Sequence, residues 1–205
     1  MSTTIPDTSR CLELIEDFSM LENIRRHSFM VARVAATLHH GLAGGQNCVP
    51  AHELVLAGAL LHDIAKTRCL QEGCAHAETG AAICEDLGYP EIAAIVASHV
   101  LLPQFDQNRY RQGVFNATEL VFYADKRVLH DRIVSLEERL DYILEKYGAG
   151  NLLKEAVIQE NFRHCQQLEA ELFSHLPFSA EETGLLVQQK DWTELDLHYY
   201  PPVNT

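Results

Sequence analysis

Along most of the chain, apolar residues recur at intervals of three and four, the spacing that lines one face of an α-helix. Between 24 and 42, Met30, Val31, Val34, Ala35 and Leu38 fall on such a stripe, and Gly41 and the Gly44-Gly45 pair close it. A second helix is predicted from Pro50, a good first-turn residue, through Leu54, Leu56, Leu60 and Leu61 to about Lys66. Shorter helices are expected at 76–87 and 90–100, the first stopped by Gly88 and the second opened by Pro90. Residues 101–113 break the rhythm with Pro103, Gln104, Gln107, Asn108 and several charges, and read as a loop. Helices resume at 118–130, 136–147 and 152–176, with Gly148 and Gly150 between the last two. Ser179 and Glu182 stand at capping-box spacing for one more helix, to about Lys190. No segment alternates as a half-buried strand does.

The expectation is an all-α protein with a single helical-bundle domain. Residues 1–19 form an N-terminal extension, 20–135 the core, 136–190 the helices that complete the bundle, and 191–205 an extended tail. With 205 residues, 47% of them hydrophobic, the chain can bury a core without staples. The 16 Lys and Arg stand against 29 Asp and Glu, a net charge of −13 that repels nucleic-acid polymers and anionic membrane surfaces. No apolar run approaches 18 residues and the first ten residues lack a secretory pattern, so a cytoplasmic location is expected. The six cysteines contain no Cys-x-x-Cys and are read as free thiols, several of them buried. The aromatic tail could mediate a homodimer.

Polar residues in apolar settings carry the chemistry. His62 and Asp63 end the most apolar stretch of the chain, within Leu60-Leu-His-Asp-Ile-Ala-Lys66. A carboxylate buried there costs several kcal/mol unless something pairs with it, and a metal ion is an effective partner. His27 sits early on the amphipathic 24–42 segment, and Asp125 interrupts Leu120-Val-Phe-Tyr-Ala-Asp. His76 and His99 fall at the start and end of the two short helices. Each alone is more often a satisfied core or surface residue. Together, on separate helices, they suggest one shared polar centre between the helices of a bundle.

In these residues the chain resembles the HD-domain superfamily of metal-dependent phosphohydrolases, in particular its small bacterial members. The superfamily pattern is a His, then His-Asp, then a distant Asp, here His27, His62-Asp63 and Asp125, with Lys66 three residues after the Asp. The resemblance covers about residues 20 to 135. It implies one or two divalent transition-metal ions (Mn, Fe, Co, Ni or Zn) held by His27, His62, Asp63 and Asp125, with His76 and His99 adding a second ion and Asp63 shared. It further implies hydrolysis of a phosphate ester or anhydride of a nucleotide or other small phosphorylated metabolite by metal-activated water. Asp63 and Lys66 would be catalytic, and Lys66, Arg26, Arg127 and Arg132 are candidate phosphate contacts; for the arginines an ion pair with nearby acids competes. A di-iron oxygenase and a noncatalytic nucleotide or metal sensor are the alternatives. The 101–113 segment, leaving directly after His99, is a candidate lid, with Gln104, Gln107, Asn108 and Arg109 as possible base or sugar contacts.

Overall fold

The computed structural model describes residues 4–45 and 47–192, and the expected tail lies almost wholly outside the described residues. Eleven α-helices follow in order among them: α1 Thr8–Asp17, α2 Glu22–Ala43, α3 His52–Leu61, α4 Lys66–Glu72, α5 His76–Asp86, α6 Pro90–Ser98, α7 Gln107–Arg111, α8 Ala117–Lys126, α9 Leu136–Ile143, α10 Leu152–Ser174 and α11 Thr183–Gln189. The fold is all-α apart from one small hairpin.

Helix α3 is the axis of the bundle. Seven successive residues, Val55 to Leu61, are buried, so the helix is enclosed on every side rather than amphipathic. It packs against α1, α2, α6 and α8, and α2 in turn packs on α8. Gly58 sets the approach of α6, since a Cβ there would stand 2.6 Å from Ile95 Cδ1 and 3.1 Å from its Cγ2. Helices α5 and α6 form a pair joined through Gly88, whose φ of 82° closes α5. The Tyr89 N–H donates to the Cys84 carbonyl and the Gly88 N–H to that of Glu85, a Schellman end that satisfies the last carbonyls. Helix α10 lies over α7, α8 and α9, and its Phe162, Cys165, Leu168 and Leu172 belong to the same hydrophobic core as α2 and α3.

The structure departs from the sequence reading in five places, one of them a short helix, α7, inside the 101–113 segment read as a loop, where the Asp106 side chain caps its first turn. The helix expected from 50 to 66 stops at Leu61; Ile64 and Lys66 donate to the carbonyls of Leu61 and Asp63, so the chain turns tightly before α4 begins. Val128–Leu129 and Arg132–Ile133 form an antiparallel hairpin, where a helix end was expected; His130 turns it with φ 58°. The last turn of the 136–147 helix widens into a π-helical turn, Leu144–Gly148, before Ala149 and Gly150 reverse the chain. Cys69 and Cys74, read as free thiols, form a disulfide: α4 ends at Gly73 in the left-handed region, which folds the chain back and leaves their Cα atoms 4.6 Å apart. Cys11, Cys84 and Cys165 are buried free thiols, and Cys48 is an exposed one. The Ser179–Glu182 capping box forms, one turn ahead of α11. Among the described residues no helix is long and apolar enough to cross a membrane.

Candidate metal centre and cleft

Five elements deliver the polar centre. α2 supplies His27, the tight turn after α3 supplies His62 and Asp63, α6 ends on His99, and the last turn of α8 holds Asp125; His76 opens α5. His62 keeps helical backbone angles, the i→i+3 bonds tighten the turn that follows it, and the two neighbouring side chains reach each other, with His62 Nε2 3.4 Å from Asp63 Oδ2. His62, Asp63, His99, Asp125 and His27 are all buried, and His76 is part-exposed.

Backbone carbonyls fix the imidazoles. His27 Nδ1 donates to the His130 carbonyl at 2.9 Å, His62 Nδ1 to Ala59 at 2.7 Å and His99 Nδ1 to Val96 at 2.6 Å. Each bond leaves Nε2 as the lone-pair nitrogen, pointed inward, which is the arrangement of a metal-ligating histidine. His27 Nε2 then lies 2.9 Å from Asp125 Oδ1, and His99 Nε2 lies 3.1 Å from His76 Nε2. Two lone pairs facing at such distances repel unless a cation stands beside them. Burial pulls His27 and His99 below the ordinary histidine pKa, against the nearby carboxylates, and brings His76 down to about 4. His27, His99 and His76 are therefore neutral donors at neutral pH, while against its burial Asp63 and Asp125 raise His62, where a proton stands in for the cation. His62 Nε2 and Asp63 Oδ1 are buried with no hydrogen-bond partner. The set fits a divalent transition metal: deprotonated nitrogen and carboxylate oxygen, converging and otherwise unsatisfied.

Two ligand groups converge here, His27 with His62 and Asp63, and Asp63 with His76 and His99. Asp63 belongs to both. Its Oδ2 is 3.4 Å from His62 Nε2, while its Oδ1 is 3.4 Å from the Nε2 atoms of both His76 and His99. Burial pushes the Asp63 carboxyl up, but His62 and Lys66 outweigh it and hold it well below the usual range. Asp125 is likewise held low against burial by Lys126, His27 and Arg139.

A cleft of about 450 Å³ opens onto this centre. Lys66, Lys126 and Arg139 are the cationic residues that line it, and Leu70, Leu101, Ile143, Tyr147, Ile158 and Phe162 form apolar walls. Lys66 Nζ donates to Asp63 Oδ2 at 2.6 Å, where the sequence placed it. Lys126 Nζ donates to Asp125 Oδ2 at 2.6 Å and to the His99 carbonyl at 2.8 Å.

The arginines chosen from sequence lie elsewhere. Arg26 pairs with Glu22 one turn back on the surface of α2. Arg127 is buried on the opposite side of α8 from Asp125's cleft, donating to the Val134 and Ala180 carbonyls, Tyr123 and Glu169. Arg132 is exposed on the hairpin, 3.4 Å from Glu138. The cationic residue that sequence reasoning missed is Arg139, whose Nη2 is 3.8 Å from Asp125 Oδ1. Its signal was there: with Leu136, Leu140 and Ile143 it occupies the apolar stripe of α9, an intrusion of the same kind as His27. The 101–113 segment also differs from the expected lid. Gln107 is tied to Glu171 and Arg109 to Glu119, and only Leu101 of the segment lines the cleft, whose outer wall comes from α9, the π-helical turn and α10.

The HD domain family matches residues 24–143, more than half of the chain and every residue of the polar centre. A tRNA (cytidine(56)-2'-O)-methyltransferase of Picrophilus torridus is 30% identical over 158 residues, which are 72% of this chain and 42% of that protein. The chain thus spans less than half the length of that relative. No solved structure matches. HD domains bind divalent metal ions and are generally hydrolases, and the His27, His62-Asp63 and Asp125 constellation falls inside the matched region. By that match and by the converging histidines and aspartates, this chain belongs to the HD domain family.

Proposed function

We propose that the chain is a metal-dependent phosphohydrolase that cleaves a phosphate ester or anhydride of a nucleotide or other small phosphorylated metabolite. The observation that carries this reading is Asp63, whose two oxygens face two separate histidine groups directly behind the His76, His99 and Asp125 that line the cleft. His27, His62, Asp63 and Asp125 would hold one divalent ion, and His76 and His99 with the shared Asp63 a second. Bound there, the metal would supply an activated water and offset charge on the phosphoryl oxygens. The chain's own residues do the rest. The carbonyls of His130, Ala59 and Val96 keep the rings in the ligating tautomer. Lys66 and Arg139 offer donors to phosphoryl oxygens, and the apolar walls exclude water and receive the base or other organic part of the substrate. Lys126, bound to both Asp125 and the His99 carbonyl, positions these two elements on each other.

The name of the archaeal relative describes methyl transfer to tRNA, but 42% coverage and a net charge of −13 give that activity little support here. The cationic fringe favours an anionic phosphoryl substrate over oxygenase chemistry on the same ligand set. Phosphate release from a panel of nucleotides and sugar phosphates, measured anaerobically with Mn²⁺, tests the reading on wild type and Asp63→Ala. Release that disappears in the variant supports it. No release from a wild type shown to hold metal overturns it in favour of an oxygenase or a sensor.

A further inference from the structure

A second histidine group lies away from the cleft. The distal part of α2 carries adjacent His39 and His40, and α3 opens on His52. His39 is twelve residues beyond His27, ~18 Å along a helix axis, and none of the three lines the cleft. One ring nitrogen from each lies within 4.8 Å of the others. The ring centroid of His52 is 4.9 Å from that of His39 and 4.7 Å from that of His40.

Backbone acceptors again decide which nitrogens carry lone pairs. His39 Nε2 donates to the Pro50 carbonyl at 2.9 Å, so its Nδ1 is the acceptor, 3.2 Å from His52 Nδ1. His40 Nδ1 is engaged, 2.6 Å from the Ala36 carbonyl and 3.1 Å from the Lys190 ammonium, which leaves Nε2 as its nitrogen for a cation. Burial pulls His39 below the ordinary histidine pKa and keeps it neutral. The charge opposing a cation is Lys190, whose ammonium is 3.1 Å from His40 Nδ1 and 4.7 Å from the Trp192 ring centre.

We propose that His39, His40 and His52 form an all-imidazole metal site, distinct from the HD centre, that takes a borderline cation, Zn²⁺ in the first place. The donor set decides the class. Three imidazole ligands suit Zn²⁺, Ni²⁺ or Cu²⁺, whereas the mixed histidine and carboxylate centre in the cleft also accepts Mn²⁺. Ligands from the end of α2 and the start of α3 let the ion fasten the connection between the two helices around which the bundle is built.

Equilibrium dialysis of the full chain against Zn²⁺, and separately Mn²⁺, tests the site in wild type, His40→Gln, His52→Gln and Lys190→Gln. Beyond the Zn²⁺ held in the HD centre, wild type should hold one further Zn²⁺ equivalent that is at least about tenfold weaker in His40→Gln and His52→Gln, with Mn²⁺ content unchanged in all four. Lys190→Gln should tighten that equivalent by removing the like charge. His40 is exposed, so its variant folds even if His52→Gln does not. Equal Zn²⁺ content and affinity in wild type and folded His40→Gln would overturn the proposal, whatever the fate of the phosphohydrolase reading.

Discussion

Asp63 does more than any other single residue in the centre. It is buried, one oxygen faces His62 and Lys66, and the other faces His76 and His99. Asp63→Asn keeps the shape and removes the charge, so metal content and hydrolysis should both fall by about 100-fold or more; metal analysis and a phosphate assay on the same sample check this. Lys66 is different, because it contacts a ligand but is itself part-exposed on the cleft wall. Lys66→Met should leave metal content near wild type while reducing kcat/KM, and loss of metal instead would assign Lys66 to holding the centre together. The histidines also set a pH response. His76 is at about 4 in the fold, against an ordinary 6.5, so the unfolded chain takes up its proton first as pH falls. Its contribution is fully present above about 6.5 and is lost toward about 4. Chelated protein should therefore lose melting temperature across that window, and His76→Gln should lose less.

Among the elements, the hairpin after α8 and the disulfide after α4 are two pieces that border the centre without supplying its ligands. His130 turns the hairpin in the left-handed region, and its carbonyl holds His27. Because the acceptor is backbone, His130→Gly should leave metal affinity unchanged, and the freedom of glycine at positive φ should raise the melting temperature slightly. A fall in affinity would mean that the imidazole itself matters. The Cys69–Cys74 bond lies between Lys66 and His76 in sequence, and both cysteines border the cleft. Closing so short a loop stabilises by about 2 kcal/mol on the chain-entropy estimate. Reduction, or Cys74→Ser, should lower the melting temperature accordingly and weaken metal held through His76, while leaving the His27 group filled.

At the scale of the whole molecule, the helices were legible because an amphipathic stripe follows from the 3.6-residue turn, and α2, α5, α6, α8 and α10 stand close to where periodicity put them. His27, His62, Asp63, His76, His99 and Asp125 were legible for a related reason: a titratable residue on an apolar face conflicts with its surroundings and must have a partner. Arg26, Arg127 and Arg132 do not line the cleft, because proximity in sequence to a ligand says nothing of which side of a helix faces it. Arg127, two residues after Asp125, turns to the far side of α8 and binds Glu169 of α10. The tying of Gln107 to Glu171 depends on a contact between chain segments that no local pattern encodes, whereas the ending of α3 at Leu61 and the Cys69–Cys74 pairing are local turns that apolar periodicity does not show. The sequence by itself determined the helical class, the residues of the polar centre and the family. Only the tertiary structure decided which nitrogen each histidine turns inward, that Asp63 stands between two groups, and that Arg139 rather than its neighbours reaches the cleft. Those are matters of direction and distance, and they are fixed when helices pack, not when they form.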